Sequence, residues 1–77
     1  MKFNYQKLKG KIIEKYHTQK TFAKMLKINP STLSQKLSNG IIISTSEVII
    51  YSKKLGIPKD EIVDFFFVLE DSGLNDA

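Results

Sequence analysis

Apolar residues recur at intervals of three and four along most of the chain, and this spacing predicts α-helices. The first predicted helix spans about residues 5–16, and its apolar residues share one face: Tyr5, Leu8, Ile12 and Tyr16. Asn4 is its predicted N-cap. Gly10 weakens this helix by about 1 kcal/mol relative to alanine. It either lets another helix approach closely or is simply tolerated.

Two shorter helices are predicted next, over about 19–26 and 30–38. Thr18 is the expected N-cap of the first. Pro30 marks the start of the second, because proline is favoured at the first helical position, where its missing N–H would be unpaired anyway. Asn29 is driven out of the helical conformation by that proline and is the expected cap.

These two helices differ in how much apolar surface they carry. The inner face of the first is expected to hold Phe22, Ala23 and Leu26, with Met25 at its flank. The second has only a narrow apolar seam, Leu33 and Leu37, and its remaining residues are small, polar or basic. Asn39-Gly40 is its expected stop. A helix with so little surface to bury leaves most of its circumference free for another purpose.

The next predicted helix follows a short apolar connection, residues 41–43, that is expected to pin the loop to the core. Ser44 and Glu47 have the spacing of a capping box and start this helix, which Gly56 ends after Leu55. Its expected inward residues are Val48, Tyr51 and Leu55, with either Ile49 or Ile50 widening the stripe.

The C-terminal part is less regular. Pro58 is expected to begin a fifth, shorter helix with Ile62 and one of Phe65 or Phe66 inward. Residues 65–69, with the sequence FFFVL, suit a strand or a helix extension equally well, because aromatic and β-branched residues favour strands. Residues 70–77 are acidic and polar, which predicts a flexible tail.

Composition limits the class of protein. A chain of 77 residues allows one small domain, over 1–69, that is all-α, compact and built of five helices. No cysteine is present, so disulfides and thiolate metal sites are excluded. The apolar runs fall short of a membrane span, and no signal peptide is visible. We therefore expect a cytoplasmic protein.

Charge is distributed unevenly along the chain. Residues 1–40 hold nine lysines and a single acid, a net charge of +8, whereas residues 41–77 hold three lysines and seven acids, a net charge of −4. All twelve basic residues are lysines. The asymmetry indicates either a polyanionic partner for the N-terminal half or a solvated lysine surface.

Two short helices joined by a tight turn, the second poor in apolar residues, form the plan of a helix-turn-helix. The segment TQKTFAKMLKINPSTLSQKLSNG (18–40) resembles that of the Cro/cI-type phage repressors of the lambda-repressor-like superfamily, most of all the small Cro-like proteins of phages of low-GC Gram-positive bacteria. Four positions carry the likeness: Gln19, Ala23, Ile28 and Leu33. One departure is Lys27, which stands where the family often has glycine and is expected in a left-handed conformation. Another is an additional residue before Gly40, which shifts the register of Asn39.

The resemblance implies a regulator that binds operator DNA in the bacterial host cell, at the nucleoid, with the second helix of the motif reading bases. The expected base-reading residues are Pro30, Ser31, Thr32, Ser34 and Gln35. The expected phosphate contacts are Thr18, Gln19, Lys20, Lys24, Lys27, Lys36, Ser38 and Asn39. Gln35 is the strongest candidate, because a carboxamide can pair with adenine N7 and N6 together. Without arginine, an A·T-leaning site with substantial shape readout is expected.

Such a regulator is expected to act as a homodimer. The candidate dimer contacts lie near the C-terminus: Ile62, Phe65, Phe66, Phe67 and Val68. The alternative is a protein-interaction module, such as an anti-repressor or antitoxin-like binder, that uses the same fold. An enzyme is the least expected, because no nucleophile–base pair, paired acids or metal-ligand spacing is present. No cofactor, metal, membrane or small-molecule substrate is expected.

Overall fold

A computed structural model describes residues 2–70, which form five α-helices and one 3₁₀ turn. The elements run in this order: α1 (Gln6–Tyr16), α2 (Gln19–Leu26), α3 (Pro30–Ser38), α4 (Thr45–Leu55), the 3₁₀ turn (Lys59–Glu61) and α5 (Ile62–Phe66). The prediction of a small all-α domain is confirmed. The predicted flexible tail lies outside the described residues except for Glu70.

The start of α1 differs slightly from the expectation. Tyr5 occupies the N-cap position, and Asn4 precedes it. The Asn4 side chain still caps the helix, because its Oδ1 accepts a hydrogen bond of 2.9 Å from the backbone N–H of Gln6. Gly10 has no atom within 4 Å of the place where a Cβ would stand, so it serves no close helix packing.

Helix α4 begins with the predicted capping box. Ser44 Oγ accepts from the backbone N–H of Glu47, and the Glu47 carboxylate accepts from the backbone N–H of Ser44. Gly56 ends the helix with φ of 70°, a left-handed conformation that glycine adopts without strain.

The buried face of α4 is narrower than expected. Val48, Tyr51 and Leu55 point inward, but Ile49 and Ile50 are both about half exposed. The prediction that one of these isoleucines widens the stripe is wrong. Ser52, which directly follows Tyr51, is buried as well and lies on the side of α4 that faces the core.

The C-terminal part combines the two structures that the sequence left open. Phe65 and Phe66 both lie in the core, so the prediction that only one of them points inward is wrong. After α5 ends, Leu69 forms an isolated antiparallel bridge with Phe3. The backbone N–H of Asn4 donates to Val68 at 2.6 Å, and that of Glu70 donates to Lys2 at 2.9 Å. The two ends of the described chain are therefore paired.

One hydrophobic core joins the helices. Its fully buried members come from every α-helix: Leu8, Ile12, Phe22, Ala23, Leu33, Leu55 and Phe66. Ile43 anchors the α3–α4 connection in this core, whereas Ile41 and Ile42 are exposed. In the part of the chain that the structure describes, no helix is long and apolar enough to cross a membrane.

Candidate nucleic-acid interface

A left-handed residue makes the turn between α2 and α3. Lys27 has φ of 61° and ψ of 40°, and its N–H bonds to the carbonyl oxygens of Ala23 and Lys24. The N–H of Ile28 also bonds to Ala23, at 3.0 Å. This expectation for Lys27 is confirmed. The pattern satisfies the last carbonyls of α2 and turns the chain sharply into α3.

Asn29 and Pro30 then start α3 as expected. The Asn29 side chain accepts a hydrogen bond of 2.7 Å from the backbone N–H of Ser31, and Pro30 stands in the first turn. Helices α2 and α3 contact each other, and Phe22, Ala23 and Leu33 are buried in the common core. The result is two short helices joined by a tight turn, as the predicted helix-turn-helix requires, and the second helix lies on the surface.

The outer face of α3 is polar and open to solvent. Leu33 and Leu37 are its only buried residues. All but one of the predicted base-reading side chains are exposed, namely Ser31, Thr32, Ser34 and Gln35, and Pro30 is half-buried. Ser38 and Asn39 are exposed at the C-terminal end of the helix. The structure therefore gathers these residues on one accessible strip.

The N-terminus of α2 is set by a strained turn. His17 has φ of 72° and ψ of −38°, and Thr18 donates its N–H to the Tyr16 carbonyl at 2.8 Å across it. This is a γ-turn with positive φ, which is rare and strained. Thr18 Oγ1 then accepts from the N–H of Thr21 at 3.0 Å and caps α2. The sequence singled out Thr18 but not the role of His17.

Exposed lysines lie along α2 and in the turn that follows it. Lys20, Lys24 and Lys27 are all exposed, and Gln19 is half-buried at the first position of α2. Their ammonium groups have no ion-pair partner among residues 2–70. Together with the free N–H groups at the start of α2, they make this side of the motif suitable for an anion.

Lys36 behaves differently from the other lysines of the motif. Its Nζ lies 2.7 Å from Glu47 Oε2, and the two side chains are only 21% and 31% exposed. Burial opposes ionisation of the Glu47 carboxyl, but the hydrogen bonds from Lys36 and Ser44 outweigh it and lower the pKa of Glu47. This pairing engages Lys36 within the chain, and its contact with a phosphate stays a prediction. Glu47 was recognised only as a cap.

The loop after α3 is held from two sides. Gly40 has φ of 65°, and a Cβ on it would come within 2.6 Å of the Phe3 carbonyl oxygen. The Phe3 N–H donates to the Gly40 carbonyl at 3.0 Å, and the Tyr5 hydroxyl donates to that of Ile41 at 2.6 Å. Glycine is thus required here for close backbone approach as well as for its conformation.

A buried tyrosine lies behind this loop. Tyr51 is 2% exposed, and its hydroxyl forms no hydrogen bond with any group of residues 2–70. Burial first, and then the nearby charge of Glu47, raise the pKa of Tyr51 to about 12. The hydroxyl therefore stays protonated and contributes no charge to the site.

The predicted dimer contacts divide into two groups. Phe65 and Phe66 are only 3% and 1% exposed and belong to the core of a single chain. This burial corrects the prediction that these two residues form dimer contacts. Ile62 packs partly against that core. Phe67 and Val68 are 40% and 41% exposed and remain available.

A family model described as "Protein of unknown function (DUF739)" matches residues 1–69. The chain belongs to the DUF739 family. Among solved structures, it is similar to the solution structure of the modulator of repression (MOR) of the temperate bacteriophage TP901-1 from Lactococcus lactis. The two chains share 31% identity with a TM-score of 0.74, over 87% of this chain and 90% of that one. No curated protein matches the chain significantly.

The family assignment and this likeness together indicate a small phage regulatory protein. They are coarser than the resemblance to Cro/cI-type repressors, since neither singles out that class. No cluster of three or more metal-ligating side chains occurs within residues 2–70.

Proposed function

We propose that this protein regulates phage repression by binding duplex DNA, with α3 in the major groove. One observation carries the proposal: α3 buries only Leu33 and Leu37, so Ser31, Thr32 and Gln35 stand exposed at its N-terminal and central turns. A recognition helix contacts base edges from that part of its length. The name of MOR, a modulator of repression, supports a regulatory role of this kind.

Base readout rests on small polar groups. The Gln35 carboxamide suits adenine, whereas Ser31, Thr32 and Ser34 can donate to or accept from several base edges. Pro30 and the Thr32 methyl suit a thymine methyl group. The chain has no arginine, the side chain that reads guanine most often. We therefore propose an A·T-leaning operator in which groove shape contributes to specificity.

Phosphate contacts are assigned to the side of the motif that carries free charge. Thr18 and Gln19 lie at the N-terminus of α2, where unpaired N–H groups and the helix dipole favour an anion. Lys20, Lys24 and Lys27 add exposed ammonium groups along α2 and in the turn after it. Ser38 and Asn39, which are exposed at the C-terminal end of α3, are the remaining proposed phosphate contacts.

Operator binding as a homodimer is also part of the proposal. Two recognition helices about 34 Å apart would reach successive major grooves on one side of the duplex. Phe67 and Val68, with the half-buried Ile62, are the apolar residues that such a contact would use.

Selection of bound duplexes from a random pool tests the DNA-binding proposal. We expect an A·T-rich motif with two-fold symmetry from the unchanged protein. Gln35→Ala should lose preference at one adenine per half-site, with a discrimination loss of about 1–3 kcal/mol. Lys20→Gln is the control, because it should weaken all sequences alike and leave the motif unchanged. If the Gln35→Ala variant selects the same motif as the unchanged protein, Gln35 does not read a base.

A second candidate is contact with another regulatory protein, and the exposed C-terminal apolar residues favour it. Val63 is 64% exposed, and together with Phe67 and Val68 it follows the acidic residues Asp60 and Glu61. Titration of labelled random duplex at low salt separates the candidates. Binding to the phage repressor by calorimetry, with no duplex binding at all, would support the second candidate and refute the first.

A further inference from the structure

The two oxygens of the Glu47 carboxylate bind different partners: one closes the cap of α4, and the other holds a lysine of α3. Oε1 accepts from the Ser44 backbone N–H at 3.3 Å and from Ser44 Oγ at 3.0 Å, which closes the cap of α4. Oε2 accepts from Lys36 Nζ at 2.7 Å, which ties α3 to α4. The cap therefore fixes the position of the oxygen that holds the lysine.

Lys36 is also the only charged residue of α3, whose sequence is PSTLSQKLS. While Glu47 holds it, the helix proposed to enter the groove presents hydroxyl and amide groups and no free charge. Free lysines bind phosphates of any sequence, so they raise non-specific affinity without adding discrimination. A lysine that is paired with a carboxylate of the protein adds little non-specific affinity and little discrimination.

We propose that Glu47 is a specificity-determining residue that competes with DNA phosphates for Lys36 and so suppresses non-specific binding through α3. The inference rests on the proposed DNA binding and adds a residue outside the helix-turn-helix itself. Its physical basis is a partly desolvated pair, in which the carboxylate is already within hydrogen-bond distance and needs no reorganisation. A phosphate would have to displace it.

Glu47→Gln isolates the effect. Glutamine serves in the third position of a capping box as well as glutamate does, so the start of α4 is kept. Glutamine lacks the charge that holds Lys36. Glu14→Gln is the matched control, because Glu14 also pairs with a lysine, Lys11 Nζ at 3.5 Å, but lies on α1. Both variants raise the net charge by one.

Fluorescence anisotropy with labelled random duplex, at salt concentrations from about 50 to about 200 mM, provides the measurement. Releasing one lysine to a phosphate should steepen the log–log salt slope of Glu47→Gln by about 0.9, which corresponds to binding tighter by about eight-fold at about 0.1 M salt. Glu14→Gln should change the slope much less. Adding Lys36→Gln to Glu47→Gln should return the slope to that of the unchanged protein.

Three outcomes would overturn the inference, and each has a distinct reading. If the unchanged protein binds duplex and Glu47→Gln has the same slope, the competition is refuted and the proposed DNA binding stands. An equal gain from Glu14→Gln would attribute the effect to net charge. No duplex binding by any variant would refute both proposals. Should Glu47→Gln fail to fold, Lys36→Gln alone decides: an unchanged slope supports the inference, and a slope shallower by about 0.9 refutes it.

Discussion

Replacing Lys27 with glycine should stabilise the protein, although it removes a side chain from the candidate interface. Lys27 has φ of 61° and ψ of 40°, and this left-handed conformation costs an L-residue about 1–2 kcal/mol. Glycine adopts it freely but has more unfolded-state entropy to lose, about 0.5–1 kcal/mol. The Lys27 side chain is exposed, so little packing is lost.

The net gain should be about 0.5–1 kcal/mol in the free energy of unfolding. For a domain of this size, that raises the midpoint of thermal unfolding by roughly 2–8 °C. Circular dichroism of the helical signal on heating measures the midpoint, and a urea titration measures the free energy of unfolding independently. The two N–H bonds from residue 27 to Ala23 and Lys24 need no side chain and should persist.

Lys24→Gly is the matched control. Lys24 is an exposed lysine too, but it lies within α2, where glycine should lower stability by about 1 kcal/mol. Opposite signs for the two lysines would establish that conformation decides the outcome. Equal losses of stability at both positions would refute the reasoning. If Lys27 also binds a phosphate, its loss should flatten the salt slope of DNA binding by about 0.9 while stability rises.

Three further changes have expected outcomes in thermal unfolding. Gly10→Ala should raise the free energy of unfolding by about 0.5–1 kcal/mol, since a Cβ there meets no atom within 4 Å; a loss would mean that the position is crowded. Tyr51→Phe should leave stability unchanged or raise it by up to about 1 kcal/mol, because its buried hydroxyl pairs with no group of residues 2–70; a clear loss would reveal a partner. The lowered pKa of Glu47 means that its contribution is fully present above its usual value of 4.5 and is lost as the pH falls through the folded-state pKa. Glu47→Gln should therefore show a smaller loss of stability on acidification than the unchanged protein, and parallel curves would contradict this.

Local signals account for most of what the sequence predicted correctly. The caps at Thr18, Asn29 and Ser44 and the glycine stop at Gly56 each depend on residues within one turn of chain. The left-handed conformation of Lys27 was expected from the resemblance, since Lys27 stands where the resembled family often has glycine. Such features are visible in sequence because their physical causes are neighbours in sequence.

Features made by distant residues were missed or left open. Glu47 has the spacing of a capping box, and nothing in that spacing reveals the lysine of α3 that it also holds. Phe65 and Phe66 are adjacent, and the sequence predicted only one of them inward. They are both buried because α5 packs against both α1 and α4, which cover two sides of it. The DNA-contact residues themselves remain predictions, although the structure exposes most of them.

The pairing of residues 2–4 with 68–70 has a consequence for the order of folding. These segments are separated by almost the whole described chain, so closing that loop costs entropy that only the completed helical core can offset. Helices α2 and α3 are adjacent in sequence, so we expect their contacts to form early by comparison. Phe3 also bonds to Gly40, so the segment that we expect to dock last is the one that fixes the end of α3. We therefore expect α3 to form early in folding and its C-terminal end to be fixed late.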